Sequence, residues 1–133
     1  MKDRYLFKAK RLDTHDWILG FLSMHKTGKY FIRPIDGSAL SSVEVDKNTI
    51  CQCTGLKDKN GNLIWEGDIV RDEQDNFYKV FWQNNYYQFS LICVKSDIFL
   101  IGVKWDLCEF KRFEIEVIGN IFDNKELLES EEK

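Results

Sequence analysis

The chain has 133 residues, 44% hydrophobic and 31% charged, and its formal net charge is −3 because 22 acidic residues outnumber 19 lysines and arginines. Eight glycines, one proline and 14% aromatic residues exclude collagen-like and disordered chains and indicate a globular protein. The longest apolar runs, 18–22 and 98–103, are shorter than the ~18 residues of a membrane helix, and the acidic balance argues against a dedicated duplex binder.

The first third of the chain is predicted to form a small β meander. Apolar and polar residues alternate with a period of two, which predicts strands over 5–12, 17–25 and 30–35 joined by a hairpin turn at 26–29. Pro34 and Asp36-Gly37 end the third strand, because proline cannot donate to a β ladder and Asp-Gly favours a turn. A loop with a short strand at 42–45 is expected next.

The first strand allows two interpretations. Its alternation predicts that Tyr5, Phe7 and Ala9 face inward, which leaves Lys8 and Lys10 on a solvated face. The alternative is an edge that contacts phosphates, since lysine contacts release counterions from nucleic acid. The pattern favours the solvated face.

Turn signals become denser in the middle of the chain. Asn60-Gly61 supplies the positive φ angles of a tight hairpin turn. Short strands are predicted at 63–65 and 69–71, on either side of Glu66-Gly67-Asp68. Such rapid changes of direction are typical of a small, highly curved sheet.

A longer hairpin and a bent final strand are predicted downstream. Strands at 77–82 and 86–94 flank a polar turn, and the second strand places one set of side chains on a core face: Tyr87, Phe89, Leu91 and Cys93. Gly119 interrupts the alternation of the last strand, as a bulge or a close backbone approach does. Residues 123–126 have the spacing of a capping box, which predicts a short terminal helix followed by a fraying acidic tail.

The cysteines are predicted to be buried core residues. Cys51 and Cys53 are the only close pair, and in a strand their side chains point to one face, as those of a redox pair or half a metal site would. Zinc sites take their close ligand pairs at wider spacing, and the two histidines do not form a second pair. A small hydrophobic role is favoured for this pair, and also for Cys93 and Cys108.

Two acidic residues are predicted to hold the central turns. Asp58 and Asp68 have short side chains that accept backbone N–H bonds at such positions. The alternative is that Asp58, Glu66 and Asp68 converge on a divalent cation, whose preferred ligands are oxygens. Turn chemistry accounts for all three residues and is favoured, so no metal is predicted.

Three segments in order resemble the YopX family of bacteriophage and prophage proteins. Residues 17–22, WILGFL, are similar to its early Trp-x-x-Gly-x-Leu strand. Residues 49–70, TICQCTGLKDKNGNLIWEGDIV, resemble its most specific signature, although Cys51-Gln52-Cys53 stands where the family has Gly-Gln and an aromatic residue. Residues 116–128, EVIGNIFDNKELL, are similar to its closing segment.

The resemblance implies the following organisation. It consists of a small Src-homology-3-like β-barrel over 48–122, an N-terminal meander at 1–47 packed alongside, and a short helix with an acidic tail at 123–133. The matching residues form a structural signature: Trp17, Gly20, Gly55, Leu56, Asp58, Gly61, Trp65, Glu66, Gly67, Asp68, Val70, Gly119 and Asn120. The glycines are expected where a side chain would clash or φ is positive.

An enzyme is the least supported class of function. The sequence has no nucleophile elbow, phosphate loop, dinucleotide fingerprint or paired-histidine motif, so no catalytic residue and no cofactor are predicted. His15-Asp16 resembles an acid–base pair, but neighbours in a strand point apart, and 12–16 is predicted as a solvated loop.

A single-stranded nucleic-acid-binding barrel is the alternative function. Small barrels stack bases on aromatic side chains beside basic ones. The residues that offer this chemistry are Tyr78, Lys79, Trp82, Tyr86, Lys104, Trp105, Lys111 and Arg112.

The favoured hypothesis is a non-enzymatic interaction protein. The aromatic content exceeds what one small core needs, and edge strands invite pairing between subunits, so we expect a homo-oligomer. The resemblance implies a phage or prophage gene, and an accessory or regulatory role is expected. Residues 1–8 lack the apolar region of a secretory signal, which predicts a cytoplasmic protein of the bacterial host that does not enter the membrane.

Overall fold

Antiparallel strands dominate the computed structural model, which describes residues 2–37, 41–107 and 114–128. The described residues form two antiparallel sheets and a few short 3-10 helices, so the protein is mainly β. The chain divides into two compact units, Met1–Gly55 and Leu56–Lys133, which we call the N-terminal and C-terminal units. The resemblance implies a division after residue 47.

The N-terminal unit contains a four-stranded meander and a fifth strand that pairs with the first one. Its strands lie in the order β4-β3-β2-β1-β5. They are β1 (Phe7–Lys10), β2 (Trp17–Met24), β3 (Tyr30–Pro34), β4 (Val43–Val45) and β5 (Cys51–Lys57), with 3-10 helices at Lys2–Tyr5 and Lys47–Thr49. The strand predicted at 42–45 and the end of β3 at Pro34 are confirmed.

The first four strands curl around their own small core. One face of the sheet buries Ala9, Ile18, Ile32 and Val45. The backbone N–H of Leu12 donates to the Glu44 carbonyl (3.2 Å), and that of Asp46 donates to the Lys10 carbonyl (2.8 Å). These bonds join β4 to the end of β1, so the opposite face of β1–β3 lies outside this curl.

Gly20 allows β2 and β3 to approach each other. It pairs with Pro34, and a Cβ atom at position 20 would lie 1.8 Å from the Arg33 carbonyl oxygen. No side chain fits at that distance, which gives the signature glycine a steric reason.

The C-terminal unit begins within β5, whose hydrogen-bonded neighbour β6 follows it. The second sheet has the order β10-β9-β8-β7-β11. The strands of this unit are β6 (Leu63–Trp65), β7 (Asp68–Arg71), β8 (Phe77–Gln83), β9 (Gln88–Lys95), β10 (Lys104–Asp106) and β11 (Glu116–Asn120). Their core includes Ile64, Val70, Val80, Leu91 and Ile115.

The bend predicted in the last strand is confirmed. The register between β11 and β7 shifts between Val117 and Gly119, as in a β-bulge. A Cβ atom at position 119 would lie 2.5 Å from the Asn124 side-chain oxygen, so Gly119 also marks a close approach.

Two side chains predicted to face the core do not. Tyr5 is 57% exposed because the chain forms a 3-10 helix there and β1 begins only at Phe7. Tyr87 is 81% exposed because it lies in the hairpin turn with φ 52°, one residue before β9. Leu91 and Cys93 are buried as predicted, and Phe89 is partly buried against the same core.

The barrel and the terminal helix are not established by the described residues. The second sheet has β10 and β11 at its two edges, and no closed barrel is found in the part of the chain that the structure describes. A single 3-10 turn spans Lys125–Leu128, and the predicted tail lies outside the described residues. Within the described ranges, none of the helices has the length and apolar character required to cross a bilayer.

Candidate functional site

Three aromatic rings meet in the C-terminal unit. Strand pairing aligns Val80 with Leu91 and Leu91 with Trp105, so Trp105 lies on the core face together with Tyr78. The Trp105 ring meets the Tyr78 ring edge-on, with centroids 5.5 Å apart, and the Phe99 ring at 4.9 Å. T-shaped contacts of this kind hold aromatic rings in a fixed arrangement.

The turn between β7 and β8 is organised by one carboxylate. Asp72 Oδ1 accepts the backbone N–H groups of Gln74 and Asn76, each at 2.9 Å. Asp72 Oδ2 accepts the Asn76 side-chain amide and the Tyr78 hydroxyl, again at 2.9 Å. The carboxylate thus fixes both the turn and the Tyr78 ring.

The same network reaches the loop between β9 and β10. The Ser96 hydroxyl donates to Asn76 Oδ1 at 2.5 Å. Its oxygen accepts the backbone N–H groups of Ile98 (2.9 Å) and Phe99 (2.8 Å). The Phe99 ring is therefore positioned by the turn that Asp72 holds.

These elements enclose a cleft of about 330 Å³, near the lower limit of small-ligand sites. We call it the acidic aromatic cleft. The residues that line it are Asp72, Glu73, Gln74, Tyr78, Phe99, Trp105 and Glu114. Three are carboxylates and three are aromatic, and none of these described residues is basic.

The protonation states make the cleft negative. Burial disfavours the Asp72 carboxylate, but the hydrogen bonds from Asn76, Tyr78 and Gln74 outweigh it and hold the pKa of Asp72 below its ordinary value. Burial, and next the hydrogen bond to Asp72, raise the pKa of Tyr78 well above its ordinary value. At neutral pH Asp72 is therefore an anion and Tyr78 a neutral donor.

An exposed apolar loop adjoins the cleft. Phe99 lines the cleft, and its neighbours in the β9–β10 loop expose large hydrophobic side chains: Ile98 (62%), Leu100 (80%), Ile101 (59%) and Val103 (36%). Monomeric surfaces rarely expose such a cluster, and where they do it often marks an interaction site.

The turn between β5 and β6 is also organised by a carboxylate, which here is buried. Asp58 Oδ1 accepts the backbone N–H groups of Asn60 (2.9 Å) and Asn62 (2.8 Å), and Oδ2 accepts that of Val117 (2.9 Å). Burial opposes the charge, but these bonds hold the pKa of Asp58 below its ordinary value. Asp58 therefore links this turn to β11.

The next turn repeats this chemistry. Asp68 Oδ2 accepts the Trp65 backbone N–H at 2.8 Å, and Gly67 between them has φ 89°. The Gly67 carbonyl accepts the Ile121 N–H at 2.9 Å, just after Asn120, whose side-chain oxygen accepts the Phe122 N–H. The predicted role of both aspartates in holding turns is confirmed.

A comparison with protein families identifies the chain. The family model described as YopX protein matches residues 22–129, which is most of the sequence. The chain belongs to the YopX family. None of the curated proteins matches it.

The YopX signature residues lie mainly in turns and at strand ends rather than around the cleft. They lie in β2 (Trp17, Gly20), β5 (Gly55, Leu56), the β5–β6 turn (Asp58, Gly61), β6 (Trp65), the β6–β7 turn (Glu66, Gly67), β7 (Asp68, Val70) and β11 (Gly119, Asn120). Gly55, Gly61 and Gly67 have positive φ. The signature marks architecture, and the acidic aromatic cleft lies outside it.

The hypothetical cation site does not assemble. Asp58 and Asp68 direct their carboxylates at different backbone donors. Within the described ranges, no group of three or more Asp, Glu, His or Cys side chains has a geometry that could hold a metal.

The residues proposed for nucleic-acid contact lie on two faces of the second sheet. Lys79 and Lys104 both pair with Ile92 and share its face. Trp105 lies on the opposite face in the cleft, and Trp82 lies on that same opposite face against Phe89. Tyr86 is exposed in the hairpin turn. Lys111 and Arg112 lie outside the described residues.

The cysteine prediction is confirmed for three thiols. Cys51, Cys53 and Cys93 are buried, and none of these three forms a disulfide. Burial raises the pKa of the Cys93 thiol, so it is a poor nucleophile. Cys108 lies outside the described residues.

The loop predicted at 12–16 is confirmed, and the Arg11 side chain donates to Asp13 Oδ1 at 2.9 Å.

The sequence pattern missed most of the cleft. Asp72, Glu73, Phe99 and Glu114 were not identified as site residues. The available signal was the polar run 72–76 between two strands, where Asp followed by Asn is typical of a tight turn. That run does not show which aromatic rings the turn meets.

Proposed function

We propose that the protein is a non-enzymatic interaction module whose acidic aromatic cleft binds a cationic side chain of a partner protein. The observation that carries this proposal is the combination of three carboxylates with the partly exposed rings of Phe99 and Trp105 in one cleft of about 330 Å³, which also borders the buried Tyr78. Aromatic faces and carboxylates both attract cations, and neither attracts phosphate.

The side chains of the cleft are held in place before a ligand binds, which supports recognition of a cationic side chain. The Tyr78 ring is fixed by Asp72, and the Trp105 ring by Tyr78 and Phe99. A guanidinium group can stack on an aromatic ring while it donates to a carboxylate, which suits arginine better than lysine. Binding to fixed groups avoids the cost of ordering them.

The exposed β9–β10 loop supports a protein as the partner. A free amine or metabolite would need only the cleft, whereas Ile98, Leu100 and Ile101 offer apolar contact beside it. The partner segment therefore carries a basic residue next to apolar ones.

Self-association is part of the same proposal. The apolar loop and the edge strand β10 offer surfaces that a second copy can cover. The motif resemblance supports a phage or prophage origin and an accessory or regulatory role in the cytoplasm of the bacterial host. The order of the second sheet, in which β11 returns beside β7 after the β7–β10 meander, supports the Src-homology-3-like barrel.

Binding of N-acetyl-arginine amide tests the cleft. We expect the indole N–H signal of Trp105 and the amide signal of Gln74 to shift in a nuclear magnetic resonance titration. N-acetyl-citrulline amide, which has the same shape without the charge, should leave them in place. Equal shifts with both ligands would refute recognition of a cation.

Variants assign the effect to the cleft. Glu114→Gln removes one lining carboxylate and should weaken binding of the arginine amide about threefold to tenfold. Glu126→Gln removes an exposed carboxylate that does not line the cleft and should leave binding unchanged. A similar loss in both variants would indicate an unspecific effect of net charge.

Light scattering over a range of concentrations tests self-association. Leu100→Ser should shift the equilibrium towards the monomer, because Leu100 is 80% exposed in the apolar loop. Met24→Ser, at a 65% exposed position of the N-terminal unit, is the matched control. A wild-type protein that is monomeric at every concentration would contradict this part of the proposal.

A further inference from the structure

The face of the N-terminal sheet opposite its core carries aromatic and basic side chains together. Strand pairing aligns Lys10 with Trp17 and Phe21 with Arg33. Paired residues of antiparallel strands share a face, and positions two apart on one strand do as well. Lys8 and Phe31 therefore belong to the same face. We call it the outer face. Its aromatic and basic residues are Lys8, Lys10, Trp17, Phe21, Phe31 and Arg33, and Leu19, Ser23 and Glu44 lie on the same face.

The outer face is accessible over β1–β3. Phe21 is 54% exposed and Arg33 is exposed, while the other four residues are partly buried. Cys51 and Cys53 of β5 are buried, which limits the accessible region to the first three strands. The core residues Ala9, Ile18 and Ile32 occupy the other side of the sheet, and on the outer face the Phe31 ring contacts the His25 ring, with centroids 4.6 Å apart.

Positive charge is held directly beside the largest ring. Lys8 Nζ lies 4.7 Å and Lys10 Nζ 5.4 Å from the centroid of the Trp17 ring. Cation–π contacts of this length position both ammonium groups next to a surface on which a base can stack. Phe21 and Arg33 are cross-strand neighbours further along β2 and β3, which places another aromatic and another basic residue side by side.

The charge of the whole unit has the same sign. Residues 1–55 contain nine lysines and arginines against six aspartates and glutamates, a net charge of +3. The outer face has three cations and one carboxylate, that of Glu44, which pairs with Phe31. The face is thus complementary to an anion that also presents flat apolar rings.

We propose that the outer face of the N-terminal sheet binds single-stranded nucleic acid. Trp17, Phe21 and Phe31 stack on unpaired bases, and Lys8, Lys10 and Arg33 contact the phosphates between them. Sheets that carry aromatic and basic residues on one face bind single strands in this way, and a duplex hides the rings of its bases from such a surface. An apolar protein surface, the alternative occupant, would match the rings but would not offset the cost of desolvating three clustered cations.

Fluorescence anisotropy with a labelled dT 20-mer tests the proposal on the full chain. We expect binding that weakens as salt rises, and weaker binding to the corresponding duplex. Each phosphate contact to a single strand contributes about 0.7 to the slope of log affinity against log salt. Lys8→Gln/Lys10→Gln should therefore reduce that slope by about 1.4, twice the contribution of one contact.

Lys79→Gln/Lys104→Gln is the matched control. It removes the same charge from two lysines that share a face of the other sheet. Affinity and salt slope should remain those of the wild type. A greater loss in this variant than in Lys8→Gln/Lys10→Gln would overturn the assignment to the outer face.

Phe21→Ala tests the stacking contribution separately from charge. The side chain is 54% exposed, so its truncation should preserve the fold, which thermal unfolding verifies. Removal of one stacking ring should lower affinity roughly fivefold to a hundredfold. Unchanged affinity, no binding of the dT 20-mer at low salt, or a dimer that Phe21→Ala converts to monomers without the oligonucleotide would each refute the proposal.

Discussion

The two units combine aromatic rings with charges of opposite sign. The outer face of the N-terminal sheet has Lys8 and Lys10 over Trp17. The acidic aromatic cleft has Asp72 and two glutamates beside Trp105. Residues 1–55 carry a net charge of +3, and residues 56–133, with ten basic and sixteen acidic residues, carry −6. The net charge of the whole chain, −3, does not show this division. The net charge of each unit is therefore a better guide to the partners of that unit than the net charge of the whole chain.

The two regions also differ in how their rings are held. In the C-terminal unit, Tyr78 is fully buried, and its hydroxyl donates to a carboxylate that four donors hold in place. In the N-terminal unit, Trp17 and Phe21 stand on a sheet surface and are aligned by strand register. A fixed concave site suits one side chain of defined shape, whereas an open sheet face suits a flexible chain of repeated groups.

The largest expected effect is unfolding of the N-terminal unit while the C-terminal unit stays folded. Gly20→Ala places a Cβ atom 1.8 Å from the Arg33 carbonyl oxygen, which separates β2 from β3. We expect a cost of more than about 3 kcal/mol, at the upper end of overpacking effects. Hydrogen exchange should show lost protection in β1–β3 and preserved protection in β7–β9.

Gly28→Ala is the control for that experiment. Gly28 has φ 89°, and nothing lies within 4 Å of the position that an alanine methyl group would take, so only the backbone strain remains, about 1 kcal/mol. Equal loss of protection in both units after Gly20→Ala would show that they unfold together and would remove the basis for treating them separately.

The next effect concerns the turn of the C-terminal unit. Asp58→Ala leaves the N–H groups of Asn60, Asn62 and Val117 without their acceptor. Buried donors without partners are costly, and we expect the free energy of unfolding to fall by about 2 to 4 kcal/mol. Asp97→Ala, at an exposed position of the same unit, should change it by less than about 0.5 kcal/mol. Urea denaturation measures both.

Much of the fold could be predicted because its signals are local. Asn60-Gly61, the Glu66-Gly67-Asp68 break and the Gly119 bulge each arise from residues adjacent in sequence. The prediction for Tyr87 was wrong because a polar turn can extend by two residues without changing the alternation that follows it. The sequence therefore predicts which segments form strands better than it predicts the residues at which those strands begin and end.

The two binding regions could not be predicted in the same way. The cleft brings Asp72 to Trp105 and the outer face brings Lys10 to Trp17, and both depend on which strands pair. Alternation correctly placed Lys8 and Lys10 opposite Ala9, but it did not show that Phe21 and Arg33 share their face. Lys104 and Trp105 are adjacent in sequence, and their alternation in β10 separates them onto opposite faces.

A smaller effect should appear in the C-terminal unit on acidification. The folded-state pKa of Asp58 and Asp72 lies below the ordinary value of 3.8, so the stability they provide is complete above about pH 4 and is lost as pH falls through the lowered pKa. We expect β7–β9 to lose hydrogen-exchange protection in this range.

Asp72→Asn is the variant for the pH experiment. The amide replaces one acceptor oxygen with a donor that faces other donors, so we expect a loss of about 1 to 2 kcal/mol at pH 7. Less stability should then remain to be lost on acidification. A pH dependence as steep as that of the wild type would show that Asp72 does not contribute to it.

The smallest expected effect comes from a variant that changes the charge of the cleft without changing its structure. Glu73 is exposed at the cleft, so Glu73→Gln should change the free energy of unfolding by less than about 0.5 kcal/mol. It should weaken binding of N-acetyl-arginine amide about twofold at low ionic strength, and this difference should shrink as salt screens the charge. Anisotropy with the dT 20-mer should give the wild-type affinity for the same variant, because Glu73 does not belong to the outer face. If Glu73→Gln instead strengthened oligonucleotide binding and left the arginine amide unaffected, the cleft carboxylates would act as a repulsive field on nucleic acid, and the division of ligands between the two units would be wrong.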